Sequence, residues 1–398
     1  MDSIFFHRHF EETVLPDGIL KGLKIAIQPN ISVAGWPTEA GSGALTGFRA
    51  LEDATLYRLI REAGAYVCGS TRMSEFGFGL TGSRAGKALI SQEADVELVL
   101  DMTGESRLAA AGASVCGLKP SWGLVSHLGL IGLIPSMECC GIISENINNI
   151  RIILKSVAGP DERDFSMPDE EIPDFEPKGV DPAKIAVGIL TEVQDALPST
   201  EQNLFRREVD DLKKQGIPIR ELSLPDFPLF MAVHQVVGSV EASSAAGRYD
   251  SVRYGRRAAG SKNWNEMYLA SRGAAFGPLL KSYLFQGAYF QFQNYRAYED
   301  ACRLRARLCQ QMEKLFTETD FLLFPAFRRG LSEKSLSLAD TYAQFAETAF
   351  ANVAGCPAFY IPPVAEERVG IQLAGPRRSD GRLLNFGEYT QNLRRGGH

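Results

Sequence analysis

The chain has 398 residues, 45% of them hydrophobic and 23% charged, with a formal net charge of -6. That is an ordinary globular composition able to bury a large core, and it carries no basic footprint for nucleic acid or an anionic membrane. No apolar run approaches the ~20 residues of a membrane span, and the first ten residues, MDSIFFHRHF, lack a signal peptide's apolar core, so a cytoplasmic protein is expected. Seven cysteines, an odd number without CxxC spacing, read as reduced thiols and not as a disulfide frame or a metal site.

In chain order, Lys24–Ile27 (KIAI) is a strand signal, and 35–47 is a glycine-rich loop. Asp53 is placed to cap a helix in which Leu56, Leu59 and Ile60 share a face and Gly64 supplies the stop. Residues 65–69 (AYVCG) then read as a buried strand, so strand, helix and strand imply a parallel pair with a right-handed crossover. From 79 to 120 a small-residue loop leads to an Asp-x-x-Gly turn at 101–104, then through Arg107 and an alanine run to Gly-Leu-Lys-Pro. The acidic, proline-rich stretch 161–182 predicts an exposed linker. A second strand–helix–strand unit follows: a strand over 185–190, a helix from about 200 to 215 stopped by Gly216, and a strand over 217–222. A long helix ends near Phe316.

The stretch from Gly79 to Pro120 resembles the signature segment of the amidase signature family, in which GGSSGG, D-x-G-G-S-I-R and F-C-G-x-x-G-L-K-P follow one another. Further matches stand in the family's order: Thr71-Arg72-Met73-Ser74-Glu75-Phe76, Pro135-Ser136-Met137-Glu138-Cys139-Cys140-Gly141, Glu241-Ala242-Ser243-Ser244, a strand at 320–325, Asn352-Val353-Ala354-Gly355, and Gly370-Ile371-Gln372-Leu373. The later half is most similar to the A subunit of the glutamyl-tRNA(Gln) amidotransferase. The resemblance implies an α/β amidase-signature fold: a central mixed, largely parallel sheet flanked by helices on both faces, with shortened N-terminal helices. It also implies a single amidase-like domain over 1–398, made of a short segment 1–21, a signature-containing core 22–160, the linker loop 161–182 and the second half 183–398.

The family's chemistry is a Ser–cis-Ser–Lys triad: one serine attacks the amide carbonyl, the second relays its proton, and a neutral lysine is the terminal base. With Asp101, Gly104 and Arg107 held in register, the nucleophile position falls on Glu105, the bridging position on Thr81, and the lysine position on Gln28. The turn Met102-Thr103-Gly104 is expected to aim N–H groups inward as an anion nest, which the Glu105 carboxylate either fills or leaves for an ion pair with Arg107 or Arg72. On these substitutions the chain is expected to be a catalytically degenerate homologue that binds a small-molecule ligand or a partner subunit. Two alternatives stay open: an enzyme repurposed toward a small acyl, amide or carboxylate metabolite through Glu105 and His127, and an amide hydrolase in which a shifted register makes Ser106 the nucleophile and Ser83 its bridge. Ser83, Arg107, Cys139 and Arg253 are candidate pocket residues. No cofactor or metal is expected, nor binding to nucleic acid or membrane; a homodimer is possible in that a shortened helical layer leaves apolar surface to cover.

Overall fold

The computed structural model describes residues 3–10, 15–326, 337–365 and 368–396. Its first six strands are β1 (Phe5–Arg8), β2 (Lys24–Ile27), β3 (Tyr66–Thr71), β4 (Val96–Asp101), β5 (Cys116–Lys119) and β6 (Cys139–Ser144). The other five are β7 (Val187–Leu190), β8 (Ile219–Leu222), β9 (Phe321–Ala326), β10 (Ala358–Ile361) and β11 (Gly370–Ala374). All join one sheet in the order β1-β3-β2-β4-β6-β5-β10-β11-β9-β7-β8. The expected mixed sheet between helices therefore forms, but it is not largely parallel: the parallel pairings are confined to the two wings, β2 with β3 and β4, and β7 with β8 and β9. Each wing contains a strand–helix–strand unit, whose crossover helix makes parallel pairing possible. From β4 through β6, β5, β10 and β11 to β9 the sheet is antiparallel.

The helix Thr55–Glu62 bridges β2 and β3 and buries Leu56, Tyr57 and Ile60. Asp53 is not its cap; Ala54 holds that position without a side-chain bond. The Asp53 carboxylate instead accepts from the Ala34 N–H at 2.7 Å, satisfying a backbone donor just before the glycine-rich loop. In the second wing the helix Ser199–Lys214 buries Phe205, Val209 and Leu212 over β7 and β8.

Along β4, which is buried throughout, neighbouring side chains face opposite sides of the sheet. Leu98 joins a core that includes Ile150 and Phe205, and Leu100 one that includes Phe230 and Tyr283. Val99 packs with Ala26, Ile143, Ala109 and Ala110, so the alanine run lets the helix Glu105–Ala113 lie close on the other face. The stretch 161–182 is exposed at most positions, as expected of a linker, yet it is pinned down. The Asp161 carboxylate accepts from Thr55 and Ser126, and Phe175 is buried.

Candidate active site

Strand β4 ends on Asp101, and the chain turns over three residues into the helix Glu105–Ala113. Asp101 is fully buried, and Arg107, one turn into the helix, reaches back to it with Nη2 3.0 Å from Oδ1. The same guanidinium donates to the Thr348 carbonyl, Gln372 Oε1 and Asn352 Oδ1 at 2.6–2.9 Å. Asn352 in turn donates to both the backbone and the side chain of Asp101. Burial alone would raise the Asp101 carboxyl, but the Arg107 charge and the bonds from Arg107, Ser106 and Asn352 outweigh it and hold the group ionised below the usual carboxylate range.

This clamp fixes the turn, and the turn holds Glu105. Glu105 Oε2 accepts from the N–H groups of Met102 (2.8 Å), Thr103 (2.7 Å) and Gly104 (3.1 Å), and Oε1 lies 3.4 Å from the Gly79 N–H. Three convergent amides on one oxygen are the geometry of an anion nest. Gly104 makes it possible: its φ is +137°, and a Cβ there would stand 2.2 Å from Thr348 Oγ1. Of the two fates open to Glu105, the nest is the one adopted; Arg107 belongs to Asp101, and Arg72 donates to the Ser3 carbonyl. Burial, with Asp101 adding negative charge, pushes the Glu105 carboxyl up to about 7 despite the amides that favour its ionised form.

Behind the turn stands a group that sequence reasoning missed. His234, on the helix Leu229–Ala245, is fully buried, with Nε2 2.8 Å from the Met102 carbonyl and Nδ1 3.0 Å from the Tyr342 hydroxyl. A second hydroxyl, that of Tyr283, lies 3.0 Å from Tyr342, and the Tyr283 ring stacks on Phe78 at 4.4 Å. Burial, with Arg305 adding to it, lowers the imidazole to about 4, so His234 is neutral and carries its hydrogen on Nε2, facing the carbonyl. Over a hundred residues separate His234 from both partners. In sequence it stands on an apolar helix, with nothing to mark it.

The remaining candidates are scattered. Gln28 is buried, and its Oε1 accepts from the Leu100 N–H at 2.9 Å, which ties β2 to β4. Thr81 is half-buried in the turn before Ser83, and Ser83 Oγ accepts from the Ala85 N–H. Ser106 is fully buried and is not bonded to the nest; its Oγ donates to Asp101 Oδ2 at 2.5 Å and packs on Gly141, where a Cβ would come within 2.3 Å of it. His127 does not pair with Glu105. Its ring meets the Glu138 carbonyl at 2.9 Å and Asp164 at 3.5 Å, because the pinned 161–182 stretch supplies a nearer carboxylate. Cys139 is buried and its thiol is pushed up to about 11 by burial, so it is no thiolate. Arg253 is exposed beside Tyr254. All seven cysteines are free, and no three of the described His, Cys, Asp or Glu side chains are placed to hold a metal ion. No helix among the described residues is long and apolar enough to cross a membrane.

An eleven-stranded mixed sheet with an Asp-anchored N–H turn on β4 defines an α/β protein of the amidase type. The chain belongs to the Amidase family, whose model matches residues 8–87 and 98–384. It is 33% identical to the A subunit of the glutamyl-tRNA(Gln) amidotransferase of Natronomonas pharaonis, over 95% of this chain and 97% of the relative. It is 30% identical to the protein of the same name from Lactobacillus gasseri, over 94% of this chain and 84% of the relative. In fold it is similar to the corresponding amidotransferase chain of Thermotoga maritima, with a TM-score of 0.79 and 21% identity, over 96% of this chain and 86% of that one. These likenesses overturn the expectation of a catalytically degenerate homologue. The relatives that share nearly its full length carry the names of working enzyme subunits, and they point to a functional amidase.

Proposed function

We propose that this chain is an amide hydrolase that cleaves the C–N bond of a small carboxamide, with Glu105 as the group that moves the proton. One observation supports this above all: a carboxylate raised to about 7 sits on three convergent N–H groups, at the position to which the resemblance to the family's D-x-G-G-S-I-R segment gives the nucleophile. Donors that hold a carboxylate oxygen suit an amide oxygen equally well, and suit it better as that oxygen gains charge. In this reading the substrate carbonyl takes the place of Glu105 Oε2 in the nest. The displaced carboxylate takes a proton from water as the water oxygen bonds to the carbonyl carbon, and the C–N bond breaks only as its nitrogen is protonated. That proton passes from Glu105 to the leaving nitrogen, giving a carboxylic acid and an amine, or ammonia from a primary amide. A group titrating near 7 can serve as base and then as acid at neutral pH. Glu105 is only 2% exposed, so entry requires the segment carrying Phe78 and Gly79 to move.

A second reading, attack by Ser106, has one observation in its favour: the hydroxyl donates at 2.5 Å to an ionised carboxylate, Asp101. One experiment separates the two. Ammonia release from acetamide, benzamide and glutamine is expected to fall about 10²–10⁴-fold in Glu105→Gln, while Ser106→Ala keeps most of its rate and a fluorophosphonate leaves the wild type unlabelled. Full activity in Glu105→Gln, with Ser106 labelled, would replace the first reading by the second. No ammonia from any amide would overturn both.

The relatives' names include the word subunit, which supports a partner chain as part of this reading. Co-purification of a second polypeptide from the native source tests it.

A further inference from the structure

The helix Pro278–Phe292 is held by its inner face, where Leu280, Tyr283, Leu284 and Gly287 are buried against the helix Leu229–Ala245. A Cβ at Gly287 would stand 1.8 Å from the Ser239 carbonyl oxygen, so the two backbones are in close contact and the outer face is set. That outer face presents Phe285 (72% exposed), Tyr289 (53%) and Phe292 (73%), and Tyr295 (54%) continues it at the start of the next helix. The first three stand at i, i+4 and i+7, which places them in one stripe along the helix. Exposed rings along one face form an apolar stripe, and apolar patches of this kind mark association surfaces.

We propose that this stripe is the interface between two copies of the chain, paired about a twofold axis. A twofold interface sets one patch against its own copy, so a patch carrying mainly one sign of charge repels its partner. That condition disfavours strongly charged stretches of surface. It does not exclude this helix, whose fifteen residues include a single charged one, Lys281, turned away to bond the Gly273 carbonyl. The helix itself therefore brings no like charges together, and beside Tyr295 the exposed Arg296 is paired with Asp300. The size is also suitable. At about 150–250 Å² per aromatic side chain the exposed parts of the four rings come to about 500 Å², well over half of the ~800 Å² that each partner buries in a standard interface. Aromatic side chains in a desolvated centre are the residues that dominate such interfaces. The pairing stands whatever reaction the chain performs.

Sedimentation velocity of the purified full chain across a dilution series tests this. The wild type is expected to sediment as a dimer. The double variant Phe285→Glu/Phe292→Glu should be monomeric, its dissociation constant raised at least a hundredfold, with an unchanged circular dichroism spectrum, since both rings are exposed in the single chain. Phe165→Glu, at a ring 97% exposed elsewhere on the molecule, serves as control and should stay dimeric. A monomeric wild type at every concentration would overturn the proposal, as would a double variant that still dimerises. So would a chain that is monomeric alone and holds a different polypeptide through the same rings.

Discussion

Glu105 shows how three contacts of ordinary strength give one carboxylate an uncommon position. Each amide of the turn favours its charged form; burial and the neighbouring Asp101 oppose that, and they win. The titratable groups that act on it are Asp101 from β4 and Tyr283 and Tyr342 from two helices. A second carboxylate, Glu97, shares this outcome: buried on β4 with bonds from Thr71 and the Gly86 N–H, it too is pushed up to about 7. Both groups bind a proton in the folded chain at pH values where the unfolded chain, with an ordinary pKa near 4.3, has lost it. Stability contributed this way is present at low pH and is lost as pH rises from about 4.5 to about 7. Thermal melts at pH 5 and pH 8 should therefore show a smaller difference in Glu97→Gln than in the wild type; an equal difference would mean that Glu97 is not protonated in the folded chain. His234→Phe keeps the ring's bulk but leaves the Met102 carbonyl and the Tyr342 hydroxyl without a partner there, at a cost of about 1–3 kcal/mol. An unchanged urea midpoint would show that this contact does not hold the turn.

The sequence made Asp101, Gly104, Glu105 and Arg107 visible together because they fall within one turn and the start of one helix. It could not show that Thr348, Asn352 and Gln372 complete the same cluster, nor that His127 finds Asp164, since those meetings depend on how distant segments pack. Asp53 illustrates the same limit at short range. Its type and place suit a helix cap, and a loop amide 19 residues away took it instead.

At the scale of elements, the helix Glu105–Ala113 is joined to β4 at its first turn and to the helix Ala349–Ala354 through Arg107. Gly104 is the hinge of that joint. Gly104→Ala must take a φ of +137° and push Thr348 away, so a loss of about 3 kcal/mol is expected, from backbone strain and overpacking together. A urea midpoint within error of the wild type would contradict the assigned geometry. Arg107→Leu leaves Asp101 buried without its charge partner, and losing one member of a buried pair costs about 3–5 kcal/mol. If that variant is as stable as the wild type, Asp101 is not held ionised by Arg107. The strand–helix–strand units were legible because their hydrophobic period changes from two to 3.6 and back, with a glycine stop at Gly64 and Gly216. The antiparallel middle of the sheet was not, because β5, β6, β10 and β11 are short buried runs whose partners lie up to hundreds of residues away.

At the scale of the whole molecule, strands from both halves of the chain meet in one sheet, and β10 pairs directly with β5. The Glu105 turn stands where that sheet, the alanine-rich helix on one face and the helices of the other come together. The aromatic stripe on the helix Pro278–Phe292 lies on the same element as Tyr283, so pairing of two copies would restrain a helix that reaches the site. The most direct measurement of the central claim is the pH dependence of kcat/KM for ammonia release by the wild type beside Glu105→Gln. With Glu105 as the base, the wild-type value rises tenfold per pH unit below about 7 and levels above it, and the variant lies at least a hundredfold lower with no such rise. A wild-type profile flat between pH 5 and 8, or a variant that follows the wild-type curve, would contradict it.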